Sequence, residues 1–485
     1  MSTNKLVTFI TSECQPFVAS GGLGDVTGSL PQRIVKASKG EYELTVILPY
    51  YSKINPKYRN KLVYVGQITV NLAWRKQYCG IFKYEAKGVK YYFIDNEYYF
   101  KRDNLYGYFD DGERFAYFSK AAIEVMLYLN EVPDIIHVHD WQAGMVPIYL
   151  RTLYYGDVRL MNLKTVFTIH NIEYQGCYSF DDDIIEDVFG ISKNDSFIFE
   201  YRGSINIMKG AMEASNVVST VSPSYAEEIL SPEYAHRLED ETRRVKDEGK
   251  LVGILNGIDK TFYNPAKDKA LFFNYDRHDF SNKVKNKVEL QSMLNLPVNE
   301  SVPMIGMVTR LVNHKGLEFV KQVFDELMSL DIQMVILGTG DSYYEGYLKD
   351  MESKYNHKLR VIIAFNQDLS RKIYAASDLF LMPSKSEPCG LSQMIAARYG
   401  AIPMVRKTGG LKDSIVDFSL PNGIGYTFDG LDANEMLNMI KRALSDYQNQ
   451  ENWSDLVSRT MNADFGWSTS AKQYLSLYEK IIVKK

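Results

Sequence analysis

The sequence predicts an α/β protein built from two doubly wound halves, and three observations lead there. Short β-rich runs alternate with helix-period stretches from one end of the chain to the other, the pattern of parallel sheets covered by helices on both faces. The chain has 485 residues, about two to three times a typical domain. Finally, ASGGLGDV at 19–26 and KTGGLKDS at 407–414 repeat one small-Gly-Gly-Leu turn, as though each half carried the same strand-to-helix loop.

In the first half the strands are LVTFI (6–10), LTVILP (44–49), DIIHVH (134–139), TVFTIH (165–170) and NVVSTVS (216–222). Between them RFAYFSKAAIEVMLYL (114–129) spaces its apolar residues as a helix does. The charge-dense SPEYAHRLEDETRRVKDEGK (231–250) reads as a solvated surface segment ahead of a domain junction near residue 252. The second half repeats the scheme with MIGMVTR (304–310), QMVILG (333–338), RVIIAF (360–365), LFLMPS (379–384) and IPMVRK (402–407). Helices over 315–330, 392–399 and 434–444 separate them. The resulting domain limits are 1–252 and 253–462, with a closing segment over 463–485.

Composition narrows the function classes. Hydrophobic residues make up 45% of the chain, ample for a packed core, and the net charge of -4 provides no global field to gather nucleic acid or an anionic membrane. Any anion must be handled locally. Cys14, Cys79, Cys177 and Cys389 form no CxxC pair and the histidines lack metal-ligand spacing, so no structural zinc is expected. No apolar stretch approaches the roughly 20 residues that span a bilayer. MSTNKLVTFITSE reads as a first strand and not as a cleaved signal peptide, so a reduced, cytoplasmic setting is expected.

In open α/β sheets ligands bind outside the carboxyl ends of the strands, and the unusual residues of this sequence cluster there. Two such faces opposed across a cleft would make an interdomain active site. A small-Gly-Gly-Leu turn lets backbone approach a ligand, and free N–H groups at a helix N-terminus favour an anion. Arg310 at a strand end and Lys315 before a helix suit a diphosphate, the first as a fork and the second as a point charge. The turn at Gly338, Thr339 and Gly340 adds exposed backbone. In PSKSEPCGLSQ (383–393) Glu387 stands before a helix whose N-terminus would hold its carboxylate ionised. There it would grip sugar hydroxyls while the N–H groups around Gly390 and Leu391 face phosphate; the same spacing also suits a plain helix-capping acid. His139, Asp140 and His170 end two neighbouring strands of the first half.

These segments together resemble the family of bacterial glycogen synthases and plant starch synthases over essentially the whole chain. The likeness runs in order through the first GGL loop, LYGYFDDGERFAYFSKAAIE (105–124), HDWQAG, TIHNIEYQG, STVSPSYAEEI (219–229), GILNGIDKTFYNP (253–265), TRLVNHKG, SEPCGLSQMIAARYGAIPMVRKTGGLKDSI (386–415) and WSTSAKQYLSLY (467–478). The resemblance implies a GT-B fold, two Rossmann-like doubly wound domains facing across a deep cleft. It implies transfer of glucose with retention from ADP-glucose to the nonreducing end of glycogen or another α-1,4-glucan. No cofactor and no metal is implied, and neither a nucleic acid nor a membrane as partner. UDP-glucose as donor, or a weakened glucan-binding paralogue, are the alternatives.

Carried over residue by residue, the resemblance makes Arg310, Lys315, Glu387 and His170 catalytic. It puts Ser20, Gly21, Gly22, Tyr106, Asn256, Phe365, Cys389, Gly390, Leu391, Thr408 and Gly409 on the donor, Phe365 stacking on the base. Asp25, Asp140 and Gln142 fall on the acceptor side. The last helix, about 468–482, is expected to cross back onto the first domain. Three positions depart from the family pattern: Ala19 stands where a lysine usually opens the first loop, Gln142 where a histidine is usual, and Ser386 where an aromatic precedes the glutamate. The second loop keeps its lysine, Lys407.

Overall fold

A computed structural model describes residues 4–483; residues 1–3 and 484–485 of the expected domain ranges lie outside the described residues. The chain forms two compact units: one runs to Asn256 and resumes at Trp467, and the other is Gly257–Gly466.

Among the described residues the first unit holds a nine-stranded sheet. Seven strands are parallel, in the order Leu251–Gly253, Val217–Thr220, Lys164–Ile169, Ile135–His139, Lys5–Ile10, Tyr42–Pro49 and Val89–Asp95. Ile135–His139 and the last four residues of Lys5–Ile10 are fully buried, as expected of strands covered on both faces. Two antiparallel strands, Arg75–Ala86 and Val63–Leu72, extend the far edge. The sequence reading missed them because Val63–Leu72 is mostly solvated and lacks a continuous apolar run. The strand order reverses at Lys5–Ile10, which has Tyr42–Pro49 on one side and Ile135–His139 on the other. A crevice opens at the carboxyl ends of strands where such a reversal occurs.

The second unit is an all-parallel sheet in the order Leu359–Ile363, Gln333–Gly338, Met304–Val308, Leu379–Met382, Ile402–Arg406 and Tyr426–Phe428. Its reversal lies between Met304–Val308 and Leu379–Met382. The helix Ser468–Val483 packs in the first unit against Gly22–Ala37. Its Tyr478 hydroxyl meets His137 Nδ1 at 2.7 Å.

Two local expectations are corrected. The helix expected over 315–330 is two pieces, Leu317–Gln322 and Phe324–Ser329, because Val323 leaves the helical basin with φ -116°, a departure that a stiff β-branched residue favours. The segment expected to be solvated over 231–250 contains the helix Glu239–Asp247, which buries Glu241, Thr242 and Val245. Burial of Glu241 is tolerated because Arg244, one turn on, pairs with it at 2.5 Å.

Candidate active site

In the second unit both sides of the strand-order reversal carry charge. Beyond Val308 the chain reaches Arg310, exposed, and then a short turn, Asn313–Lys315. Beyond Met382 it reaches Ser384 and Glu387, both buried. The two turns are stitched together: the Lys385 amide donates to the His314 carbonyl at 2.8 Å and the Lys385 ammonium to Asn313 Oδ1 at 2.9 Å. Gly316, at φ 76°, lies so close to Pro383 that a Cβ would collide with its carbonyl oxygen. Buried Arg406 donates to the Lys385 carbonyl at 2.8 Å and holds the turn from below.

This stitching sets Lys315 Nζ 2.6 and 2.8 Å from the two Glu387 carboxylate oxygens, and Ser384 Oγ donates to the same carboxylate at 3.0 Å. Burial alone would raise the Glu387 carboxyl; the Lys315 ammonium and the Ser384 hydroxyl outweigh it and hold it below its ordinary value. The sequence reading gave that task to a helix N-terminus. The helix, Ser392–Arg398, starts only after Leu391, and a side-chain cation does the work instead. Cys389 is buried, Gly390 turns the chain at φ 70°, and Phe365, 84% exposed, offers an open aromatic face beyond the strand Leu359–Ile363.

The first unit presents a different chemistry. Glu13, three residues past Ile10, accepts hydrogen bonds from the Ser20 amide (2.5 Å), the Ser20 hydroxyl (2.6 Å), the Gly21 amide (3.3 Å) and the Tyr106 hydroxyl (2.7 Å). Since Tyr106 spends its proton on Glu13, Ser12 donates to Tyr106 across 2.8 Å. The turn that carries Tyr106 is fixed by Asp111, which accepts from the amides of Gly107 and Tyr108 and pairs with fully buried Arg114. Desolvation and the Glu13 charge push Asp25 up to about 7. Asp140, in the left-handed region at φ 56°, is likewise pushed to about 7 by burial and accepts the His170 amide at 2.7 Å.

Behind Asp140 the alternation of the strand IIHVH puts His137 and His139 on one face, their rings stacked 4.3 Å apart. His139 Nδ1 lies 3.0 Å from His170 Nε2. His137 Nε2 meets Thr168 Oγ1 at 2.6 Å, and Thr168 meets Ser219 at 2.6 Å. Burial lowers His137 and His139 well below the usual imidazole value and His170 to about 3, so all three rings are neutral.

The structure thus gathers Ser20, Gly21 and Tyr106 around Glu13, Asp140 with His170 beyond the neighbouring strands, and Lys315 with Glu387 in the other unit. Gly22 is exposed in the first loop, and Gln142 and Asn256 are buried, each with a side-chain oxygen that meets no hydrogen-bond partner among the described residues. The expectation that both glycine turns offer free N–H groups to an anion is corrected for the second loop and narrowed for the first. In the first loop the Ser20 and Gly21 amides serve Glu13. In the second, Thr408, Gly409 and Gly410 are buried, and the Gly410 amide donates to the carbonyls of Glu387 and Pro388. A Cβ at Gly409, φ 43°, would strike the Glu387 carbonyl oxygen, so this glycine seats the 387–389 turn. Lys407 pairs with Asp429 at 2.9 Å. Sequence reasoning missed Glu13, Ser384, Arg406, His137 and Tyr478. An acid directly after a strand end and the two-residue spacing in HVH were the available signals.

Residues 6–244 match the family described as starch synthase catalytic domain, and residues 291–456 the family glycosyl transferases group 1. Over 483 residues the chain is 46% identical to a glycogen synthase of Geobacillus thermodenitrificans, covering 99% of this chain and 98% of that one. It is 45% identical over 480 residues to a glycogen synthase of Clostridium botulinum, covering 98% and 99%. Among solved structures, the catalytic domain of starch synthase IV from Arabidopsis thaliana, bound to ADP and acarbose, superposes with a TM-score of 0.91 at 34% identity, covering 99% of this chain and all of that one. Among the described residues no helix is long and apolar enough to cross a membrane, and no group of three or more His, Cys, Asp or Glu is placed to hold a metal ion.

Proposed function

We infer the function of this chain from its membership: it belongs to the family of bacterial glycogen synthases and plant starch synthases, and it transfers glucose from a nucleotide sugar to an α-glucan. In this reading the donor is ADP-glucose, the acceptor is the nonreducing 4-OH of an α-1,4-glucan, and configuration is retained. The observation that carries the reading is the buried Lys315–Glu387 pair at the strand-order reversal of the second unit, 2.6 Å apart, with exposed Arg310 beyond the adjacent strand.

The chemistry is electrostatic. As the bond between the anomeric carbon and the diphosphate oxygen breaks, negative charge grows on the diphosphate and positive charge on the sugar ring. Arg310 and Lys315 stabilise the first, and the carboxylate of Glu387, kept ionised by Lys315, orients hydroxyls of the second. The acceptor oxygen forms the new bond on the face the diphosphate leaves, and its proton passes to the departing diphosphate oxygen. Phe365 stacks on the base, and the 389–391 turn, seated on buried Thr408 and Gly409, lines the donor. On the first unit His170, Asp140, Asp25 and Gln142 meet the sugar and the acceptor. No metal takes part.

Incubation of the protein with glycogen and either ADP-glucose or UDP-glucose, with and without EDTA, tests this by released nucleotide. Release with neither donor refutes the reading, release from UDP-glucose alone refutes the donor, and loss in EDTA refutes the metal-free reaction. Two observations favour a second reading, a weakened glucan-binding protein. Asp25 and Asp140 both feel the charge of Glu13, and at position 19 an alanine stands where the family has a lysine.

A further inference from the structure

His139 ends the strand Ile135–His139, is fully buried, and packs in a cluster of three rings, with His137 stacked at 4.3 Å and Phe9 at 4.9 Å. Its Nδ1 faces His170 Nε2 at 3.0 Å, while its Nε2 meets no hydrogen-bonding atom among the described residues. Between two neutral imidazoles a single proton makes this contact, and it sits on one nitrogen or the other.

The two arrangements differ in the defect each leaves behind. If His170 donates, the proton of His139 must sit on Nε2, a buried N–H without an acceptor. If His139 donates, its Nε2 is a bare lone pair against aromatic rings, and His170 must carry its own proton on Nδ1. A buried N–H without an acceptor is the rarer and costlier defect. We propose that His139 is a positioning residue that donates to His170 and thereby fixes it as the Nδ1–H tautomer, a hydrogen-bond donor toward the sugar.

The low proton affinity of both rings, set first by burial, agrees with a contact between neutral imidazoles. The Asp140 carboxylate holds the His170 backbone amide at 2.7 Å, so the strand-end residues His139 and Asp140 fix both the ring and the main chain of His170. The consequence for catalysis rests on the function proposed above; the tautomer itself does not. A ring held in the wrong tautomer leaves the geometry intact but presents an acceptor where a donor is needed.

The test reads the proton directly. The chain has seven histidines, few enough for nitrogen–proton correlation spectra of the imidazoles to be assigned by substitution. The proton of His170 is expected on Nδ1 at neutral pH. His139→Leu should remove that preference and lower kcat by roughly 10- to 100-fold with little change in donor KM. His139→Asn, whose amide N–H can occupy the place of Nδ1–H, should restore both the tautomer and most of kcat. The proposal is overturned by a proton on Nε2 of His170 in the unaltered protein, or by a folded His139→Leu protein with unchanged kcat. Should that variant not fold, the unaltered protein and His139→Asn still decide. Absence of transferase activity in the unaltered protein would defeat the function proposed above and leave the tautomer measurement standing.

Discussion

Lys315→Met isolates the electrostatics of the second unit. The side chains of Lys315 and Glu387 are 14% and 7% exposed, and the carboxylate receives its ammonium contacts at 2.6 and 2.8 Å. Removing one partner of a buried pair strands the other charge, at a cost of about 3–5 kcal/mol. The partial exposure of Lys315 and the surviving Ser384 hydrogen bond place the expected loss near the lower end, ~3 kcal/mol. In the unaltered protein Glu387 sits below its ordinary value, so its contribution to stability is present above the unfolded carboxyl value and lost as pH falls through the folded one. Without Lys315 the desolvation term is unopposed and the sign inverts. The folded carboxyl then rises above its unfolded value, and the deficit is largest at high pH and shrinks as the group takes up a proton on acidification. Urea unfolding at pH 8 and pH 5 measures this on the transition that the substitution moves. Lys315→Met combined with Glu387→Gln should recover most of the loss, because a neutral amide that keeps the Ser384 hydrogen bond costs far less to desolvate than a stranded carboxylate. A deficit below ~1 kcal/mol at pH 8, or one that does not change with pH, would refute the buried-pair argument.

Three further outcomes follow from the first unit. Asp25 rises from an ordinary carboxyl value to about 7, so its charge penalises folding increasingly as pH climbs from about 4 and fully above 7. Asp25→Asn should therefore raise the melting temperature at pH 8, by at most ~4 kcal/mol of stability, and leave it unchanged at pH 4; no gain at pH 8 would contradict the assigned burial. Ala19→Lys should lower donor KM by roughly tenfold or more, the value of one charge-assisted contact, and an unchanged KM counts against a loop that faces the diphosphate. Tyr478→Phe leaves His137 Nδ1 buried without its partner at 2.7 Å, which should cost about 1–3 kcal/mol in thermal unfolding; an unchanged melting temperature would show that the last helix is held by packing alone.

Much was legible in one dimension. The alternation of buried apolar runs with helical spacing located most of the parallel strands, because strands covered on both faces must be apolar throughout, but it passed over Val89–Asp95 and the three-residue edge strands Leu251–Gly253 and Tyr426–Phe428. Strand ends followed, and with them Arg310, Lys315, Glu387, Asp140 and His170. What lay beyond reach was every partner set by long-range contact. ASGGLGDV and KTGGLKDS look alike in sequence, yet one is exposed and folds its amides around Glu13 while the other is buried under the 387–389 turn.

Strand order decided the sites. Sequence order alone does not say that Ile135–His139 lies beside Lys5–Ile10, or that Leu379–Met382 lies beside Met304–Val308, and it is those adjacencies that bring Lys315 to Glu387. Local residue chemistry determines which segments become strands and which side chains each strand end carries. The pairing of charges and ring nitrogens, His139 with a residue 31 positions away and His137 with one 341 positions away, arises only when the sheet closes and burial makes an unmatched polar group too costly to keep.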